Sequence, residues 1–159
     1  MELMIKQTLF TLASRVVLQP LYRQTRGLTL GTRTAVLDGE NRVLLVQHSY
    51  GSSWFLPGGG VERGETIFES AKREVREEAG IVAEEDPVLR GICLNDKQFP
   101  GDHVAILTLH RFSREAWKPG LEIAQAQFFP VEQLPDGTSA GTRRRLDEIV
   151  ANRDVAHHW

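Results

Sequence analysis

The chain has 159 residues, 41% of them hydrophobic and 25% charged, with a formal net charge of −2. These values are close to those of ordinary globular domains and exclude disorder over most of the length. They also give no support to a broad basic face for nucleic acid. The single cysteine, Cys93, excludes an internal disulfide, and its apolar surroundings predict a small core residue.

The first 21 residues are moderately apolar, but three charged side chains interrupt them, so no membrane span is predicted. Their apolar spacing favours an amphipathic helix that Pro20 ends. We treat residues 1–24 as this helix, packed on its own domain or on a second subunit of a homodimer, and residues 25–159 as the main domain. No membrane partner is expected, and a cytoplasmic location is predicted.

Two strands and a turn are predicted next. Leu28–Leu37 and Arg42–His48 are rich in β-forming residues, and Asp38–Asn41 between them has turn chemistry. The two strands are expected to pair as a hairpin. Trp54–Leu56 is a short extended piece that leads into a proline and three glycines.

Thr66–Ala79 is the clearest predicted helix, because Thr66 and Glu69 have capping-box spacing and Gly80 follows as a stop. Hairpin-like spacing of the later elements favours an α+β fold with a mixed sheet between helices. The remaining predicted elements are three strands and a C-terminal helix: Val88–Leu94, Val104–Phe112, Ile123–Phe129 and Ser139–Ala151.

Three carboxylates share one stripe of this helix, because Glu77 and Glu78 follow Glu74 by three and four residues. The stripe borders a predicted apolar face, so it lies at the edge of the core. Oxygen-only ligands of this kind suit Mg²⁺ or Mn²⁺, whereas zinc would require histidine or cysteine ligands. The alternative is a solvated helix with salt bridges through Arg73. The predicted apolar face consists of Phe68, Ala71, Val75 and Ala79.

The run Gly58–Gly60, just before the helix, favours the functional interpretation. Consecutive glycines cost backbone entropy, and they are useful where a main chain must approach a ligand closely. An ordinary turn explains one or two glycines better than three.

Together, the glycines and the helix resemble the Nudix family. Its box reads G-x5-E-x7-R-E-U-x-E-E-x-G-U, where U is a bulky aliphatic residue. Every fixed position has its counterpart here at the required spacing, from Gly59 to Ile81. The matching residues are Gly59, Glu65, Arg73, Glu74, Val75, Glu77, Glu78, Gly80 and Ile81.

The resemblance implies an α/β/α sandwich in which the box forms loop, helix and loop. It implies that Glu74, Glu77 and Glu78 bind the metal, and that the Gly58 carbonyl adds a ligand. Arg73 is then expected to orient a box glutamate, and Glu65 to support the loop. Family members often supply one more acidic residue from outside the box, for which Glu122 is the candidate here; an exposed loop glutamate is the alternative.

This reading predicts a metal-dependent hydrolase that cleaves a diphosphate linkage in a nucleoside diphosphate derivative or a nucleoside triphosphate, by water attack at phosphorus. Glu74, Glu77 and Glu122 remain open as the general base. One alternative is a nucleotide-binding module without catalysis. Another is an RNA 5′-end pyrophosphohydrolase, for which Arg143–Arg145 offers a basic patch; one solvated end of a helix explains this run better.

The expected partner is a small nucleotide-like substrate. Arg33, His48 and Trp54 flank the predicted cleft, and Phe99 lies in a loop that could cover a base. Three of these residues also have a structural alternative: Trp54 and Phe99 could pack on the core, and His48 could support the fold.

Overall fold

The computed structural model describes residues 27–159, so the helix predicted at residues 1–24 lies outside the described residues. Within residues 27–159 the chain forms eight strands and two helices. Neither helix has the length and apolar content to cross a bilayer. The elements are β1 Thr29–Val36, β2 Arg42–His48, β3 Trp54–Phe55, α1 Ile67–Ala79, β4 Ile81–Ala83, β5 Val88–Leu94, β6 Asp102–Leu109, β7 Phe112–Arg114, β8 Ile123–Pro130 and α2 Ala140–Val150.

The central sheet has the strand order β1-β6-β5. β1 runs parallel to β6, with Thr29 opposite Asp102, while β5 runs antiparallel to it. In β6 the six residues 104–109 are all buried, as expected of a strand covered on both faces. The predicted mixed sheet is therefore confirmed.

The predicted hairpin between β1 and β2 is wrong. The turn forms as expected, with the Asp38 carboxylate accepting the backbone N–H groups of Glu40 and Arg42. Beyond one bridge between Leu37 and Val43, however, the strands separate into different sheets. β2 pairs with β3 and β8. The edge of β1 that a hairpin would use is occupied by the glycine segment that precedes α1.

Helix α1 begins at the predicted capping box, in which the Thr66 side chain and Glu69 cap each other's backbone N–H groups. It ends at Gly80, whose φ of 66° is left-handed. Ala71 and Val75 are buried as predicted. Phe68 is not: it is 37% exposed, and the neighbouring Ile67 packs on the core in its place.

The two helices cover opposite faces of the strands. Val75 of α1 packs with Val36 and Leu44 on one side, whereas Leu146 of α2 packs with Ile106 in a second cluster on the other. This is the predicted sandwich. β4 and β7, which sequence reasoning missed, pair with each other after β6 ends at Leu109, three residues before the predicted end.

After α2 the chain reverses at Asn152, whose φ of 48° is left-handed, and returns to β5. The Leu94 N–H donates to the His157 carbonyl at 2.8 Å, and the Trp159 N–H donates to the Leu94 carbonyl at 3.0 Å. Residues 155–159, called here the C-terminal tail, therefore run alongside the end of β5.

Candidate active site

The glycine segment lies against β1 as an extra extended strand. The Thr32 and Thr34 N–H groups donate to the Gly59 and Pro57 carbonyls at 2.8 and 2.9 Å. Gly58 has a φ of 147°, and a Cβ there would overlap the Thr32 carbonyl. Only glycine combines this conformation with so close an approach, so the sheet fixes the position of the segment.

The glutamates of α1 lie directly against this segment. A Cβ added at Gly59 would be 2.5 Å from Oε1 of Glu74. The Gly58 N–H donates to Oε2 of Glu78 at 2.8 Å. Two of the predicted carboxylates are thus held next to the glycines, which explains why both parts of the motif occur together.

Arg73 connects the loop to the helix. Its Nε and Nη2 bind the two oxygens of Glu65 at 2.8 and 3.0 Å, a bidentate pair. Nη1 donates to Glu74 at 2.7 Å and to Glu77 at 3.3 Å, and Nη2 also reaches the Gly60 carbonyl at 3.1 Å. The contacts expected for Arg73 and Glu65 are present, and they fix where the Glu74 carboxylate lies.

Burial sets the electrostatics of the site. Glu78 is only 6% exposed. Burial raises its pKa to about 7; the Gly58 N–H and the charge of Arg33 oppose this rise, and the charges of Glu74 and Glu122 add to it. Burial also raises the pKa of Glu74, against the effect of Arg73. Burial therefore disfavours the charged form of both carboxylates more than their neighbours favour it.

This donor set fits a hard divalent cation. It consists of carboxylate and carbonyl oxygens, and burial disfavours the negative charge of Glu74 and Glu78. Within residues 27–159 no three acidic, histidine or cysteine side chains converge on a single point. Glu74 and Glu77 instead share Arg73, and the Gly58 carbonyl accepts Nη1 of Arg33 at 2.8 Å. The Glu77 side chain is 62% exposed.

Glu122, which lies outside the motif, also acts on the box glutamates through its charge. It precedes β8, where its carbonyl accepts the Ser49 N–H at 2.9 Å, and it is exposed. Its charge contributes to raising the pKa of both Glu74 and Glu78. The fold therefore places Glu122 within the range at which its charge acts on two box glutamates, although it lies more than 40 positions further along the sequence.

Arg33 acts on Glu78 through its charge, and His48 is close to Arg33 and Glu122. Arg33 donates through Nη1 to the carbonyls of Leu56 and Gly58, at 3.0 and 2.8 Å. The His48 ring stacks on Tyr50 with centroids 5.0 Å apart. Burial lowers the pKa of His48, and the nearby positive charge of Arg33 lowers it further, so a neutral imidazole is favoured there.

Trp54 and Phe99, the two aromatic side chains predicted to contact substrate, differ in their exposure. Trp54 is buried, with its ring edge-on to Phe129 at 5.0 Å. Its place in the core contradicts the predicted contact with substrate, and the packing alternative applies. Phe99 is 64% exposed and lines a cavity, which leaves its face available to a ligand.

This cavity has a volume of about 510 Å³, within the range of small-molecule sites. It extends from Arg33 and Gly59 to the loop between β5 and β6, the start of α2 and the C-terminal tail. Sequence reasoning missed the contributions of α2 and the tail, because no motif marks them. Only the aromatic Trp159 gave a signal that was not used.

One of the three arginines in Arg143–Arg145 is withdrawn from the basic patch considered above, whereas Arg143 and Arg144 are exposed. Arg145 is 1% exposed and binds Oε1 of Glu148 at 2.7 Å. Cys93 is fully buried as predicted. It nevertheless has a basic neighbour that the sequence did not reveal, because Nη1 of Arg145 lies 2.9 Å from its sulfur.

Comparison with known proteins identifies a family. The model of the NUDIX domain matches residues 27–149. The ADP-ribose pyrophosphatase of Methanocaldococcus jannaschii is 28% identical over 103 residues, covering 63% of this chain and 61% of that protein. The human 8-oxo-dGDP phosphatase NUDT18 is 45% identical over 130 residues, covering 77% of this chain and 39% of that protein. The chain thus spans less than two thirds of the length of either relative.

Solved structures agree on the fold. The MutT protein from Bacillus halodurans superposes with a TM-score of 0.66 at 26% identity, covering 80% of this chain and 86% of that one. The MutT NUDIX hydrolase from Burkholderia pseudomallei gives a TM-score of 0.65 at 23% identity, covering 76% of this chain and 97% of that one. At such identity the second comparison bears on the fold alone.

Proposed function

The chain belongs to the Nudix hydrolase family, and on that premise we propose that it is a divalent-metal-dependent hydrolase of a diphosphate linkage. The substrate is a nucleoside diphosphate derivative or a nucleoside triphosphate, and water attacks at phosphorus. The observation that carries this proposal is the position of Glu74 and Glu78 against the glycine segment. That segment borders a cavity of about 510 Å³.

Glu74, Glu77 and Glu78 would hold the cation, and the Gly58 carbonyl would add an oxygen if Arg33 released it. We propose Mg²⁺, with Mn²⁺ as a substitute, since all these ligands are oxygens. A bound cation of this kind neutralises phosphate charge and acidifies water. The raised pKa of Glu78 supports the assignment, because a buried carboxylate needs either a proton or a cation.

The protein residues around the cation would have separate tasks. Arg73 orients Glu74 through the 2.7 Å contact, and the Gly58 N–H orients Glu78. Glu122 is the proposed proton acceptor, since within residues 27–159 no arginine or lysine pairs with it, whereas Glu74 and Glu77 both share Arg73. Arg33, beside the glycines, would bind a phosphoryl oxygen.

The cavity supports a nucleoside as the attached group. Its volume suits a nucleoside-sized ligand, and the exposed ring of Phe99 offers a stacking face. Two relatives are named for such substrates, an ADP-ribose pyrophosphatase and an 8-oxo-dGDP phosphatase. We extend only their shared chemistry, a nucleoside joined to a diphosphate, to this chain.

The test compares kcat/KM for ADP-ribose, 8-oxo-dGDP, a nucleoside triphosphate and p-nitrophenyl phosphate, at saturating Mg²⁺ and after exhaustive chelation. We expect turnover of at least one diphosphate compound, loss of that turnover on chelation, and little hydrolysis of the monoester. Full activity without metal, or a strong preference for the monoester, would refute the proposal. Tight binding of one compound without turnover would favour the binding module.

Two further parts of this proposal concern the setting of the protein. We propose a cytoplasmic location, with which a single buried cysteine is compatible. Residues 1–24 are proposed to cover their own domain or a second copy. Cell fractionation tests the first part, and the mass in solution with and without this segment tests the second.

A further inference from the structure

The C-terminal tail is docked on the sheet as an additional strand. Leu94 exchanges backbone hydrogen bonds with both His157 and Trp159, at 2.8 and 3.0 Å. Nearer the start of β5, Val155 packs on Gly91, where an added Cβ would lie 2.9 Å from the Val155 Cβ. Glycine on β5 therefore makes room for the tail, and the contact is close along several residues.

A buried ion pair holds the tail from the side of α2. Arg145 binds Glu148 at 2.7 Å, and its Nη1 also donates to the carbonyls of Ala156 and His158, at 3.3 and 3.1 Å. The Cys93 thiol donates to the Ala156 carbonyl at 3.1 Å. Removing the charges of Arg145 and Glu148 from water is costly. Most of the groups that bind this pair belong to the tail, so we infer that the pair holds the tail in its position.

Trp159 of the tail lines the cavity beside the catalytic motif. The Trp159 indole covers Gly141 in the first turn of α2, where any Cβ would overlap it. The same ring lines the cavity that Gly59 borders at its other end, together with Phe99. The catalytic motif and the tail are thus opposite walls of one space, although they are far apart in sequence.

We propose that Trp159 is a specificity-determining residue that selects the group attached to the diphosphate, and that the Arg145–Glu148 pair is the positioning device that keeps it there. This inference rests on the function proposed above. The residues that line this side of the cavity indicate the chemistry of the ligand. The rings of Trp159 and Phe99 line it together with two polar side chains of the β5–β6 loop, Asn95 and Gln98. That combination suits a planar heteroaromatic base with hydrogen-bonding edges.

The experiment compares two substrates that share a terminal diphosphate but differ in the attached group, a nucleoside 5′-diphosphate and methyl diphosphate. For Trp159→Ala we expect KM for the nucleoside compound to rise roughly tenfold, the effect of one lost stacking contact. We expect kcat to stay within about twofold and KM for methyl diphosphate to be unchanged. Trp159→Phe should restore most of the loss. Equal changes for both substrates, or no change, would overturn the proposal.

The matched control is His157→Ala in the same tail. The His157 side chain is exposed and does not line the cavity, so neither KM should change. If it alters the nucleoside KM as much as Trp159→Ala does, general loosening of the tail explains the effect and the specificity role fails.

The positioning role needs a variant that folds. Removing Arg145 alone would leave the buried charge of Glu148 unpaired. The test therefore uses Arg145→Met combined with Glu148→Leu. We expect this variant to raise the nucleoside KM selectively, with little further rise when Trp159→Ala is added. Independent, multiplicative effects would show that the pair does not act through Trp159.

A binding measurement separates this inference from the proposed function. If the wild type hydrolyses neither of these two diphosphates, the proposed function is still judged by its own test above, and calorimetric titration with a nucleoside monophosphate decides the inference. A Kd weakened roughly tenfold by Trp159→Ala, but not by His157→Ala, supports it. An unchanged Kd, or no nucleotide binding by the wild type, overturns it.

Discussion

The buried Glu78 carboxylate makes the stability of the metal-free protein depend on pH. Its pKa rises from 4.5 to about 7 because it is buried. Between these two values the folded chain keeps a proton that the unfolded chain has lost, so stability falls as pH rises through this window. Each pKa unit is worth about 1.4 kcal/mol, and the shift therefore corresponds to about 3 kcal/mol of lost stability above pH 7.

The perturbation that exposes this effect is Glu78→Gln, which keeps an oxygen for the Gly58 N–H but carries no charge. Free energies of unfolding are measured by denaturant titration in chelator from pH 5 to 8.5. Relative to the variant, the wild type should lose about 3 kcal/mol across the range. Saturating Mg²⁺ should recover stability in the wild type at pH 8, because a ligand that binds only the folded state stabilises it.

Glu62→Gln is the matched control, since Glu62 is an exposed glutamate of the same segment. It should show the same pH dependence as the wild type. Parallel curves for the wild type and Glu78→Gln would refute the reasoning, because they would mean that the carboxylate is charged in the metal-free protein at little cost.

Three more outcomes are expected. Glu77→Gln should lower kcat by about 100-fold or more in Mg²⁺ with an unchanged melting temperature, because the side chain is 62% exposed; near-normal turnover would contradict its role. Gly59→Ala should displace Glu74 and destabilise the protein by about 1–3 kcal/mol, measured by unfolding, whereas Gly39→Ala, which meets nothing within 4 Å, should have little effect. Deleting residues 1–24 should change solubility or mass in solution more than kcat/KM, and a folded truncation of unchanged mass that has lost turnover would count against this.

The sequence predicted the motif well because its residues are local. Capping at Thr66, the stop at Gly80 and the stripe from Glu74 to Glu78 all depend on spacing within one helix, and helical periodicity determines which of them share a face. Even here one position failed. Phe68 has the correct spacing for the core but is 37% exposed, and Ile67, four residues before Ala71, packs on the core instead.

Strand pairing and the far wall of the cavity could not be predicted in this way. A well-formed turn connects β1 and β2, yet one edge of β1 pairs with β6 and the other with the glycine segment. The residues near the turn do not predict either of these pairings. Trp54 and Phe99 are both aromatic and next to loops, and only the packing of Phe129 on Trp54 distinguishes them. The burial of Arg145 likewise depends on the tail.

The parallel pairing of β1 with β6 also governs the order in which the chain can fold. Thr29 and its partner Asp102 are 73 residues apart. A ribosome that adds about 5–20 residues per second needs roughly 4–15 s to make the intervening chain. During that interval β1 is synthesised but has no β6 to pair with, and Ala35 and Val36, which are fully buried in the finished protein, have no sheet to cover them. We therefore expect the apolar side chains of β1 to stay uncovered in the nascent chain until synthesis passes β6.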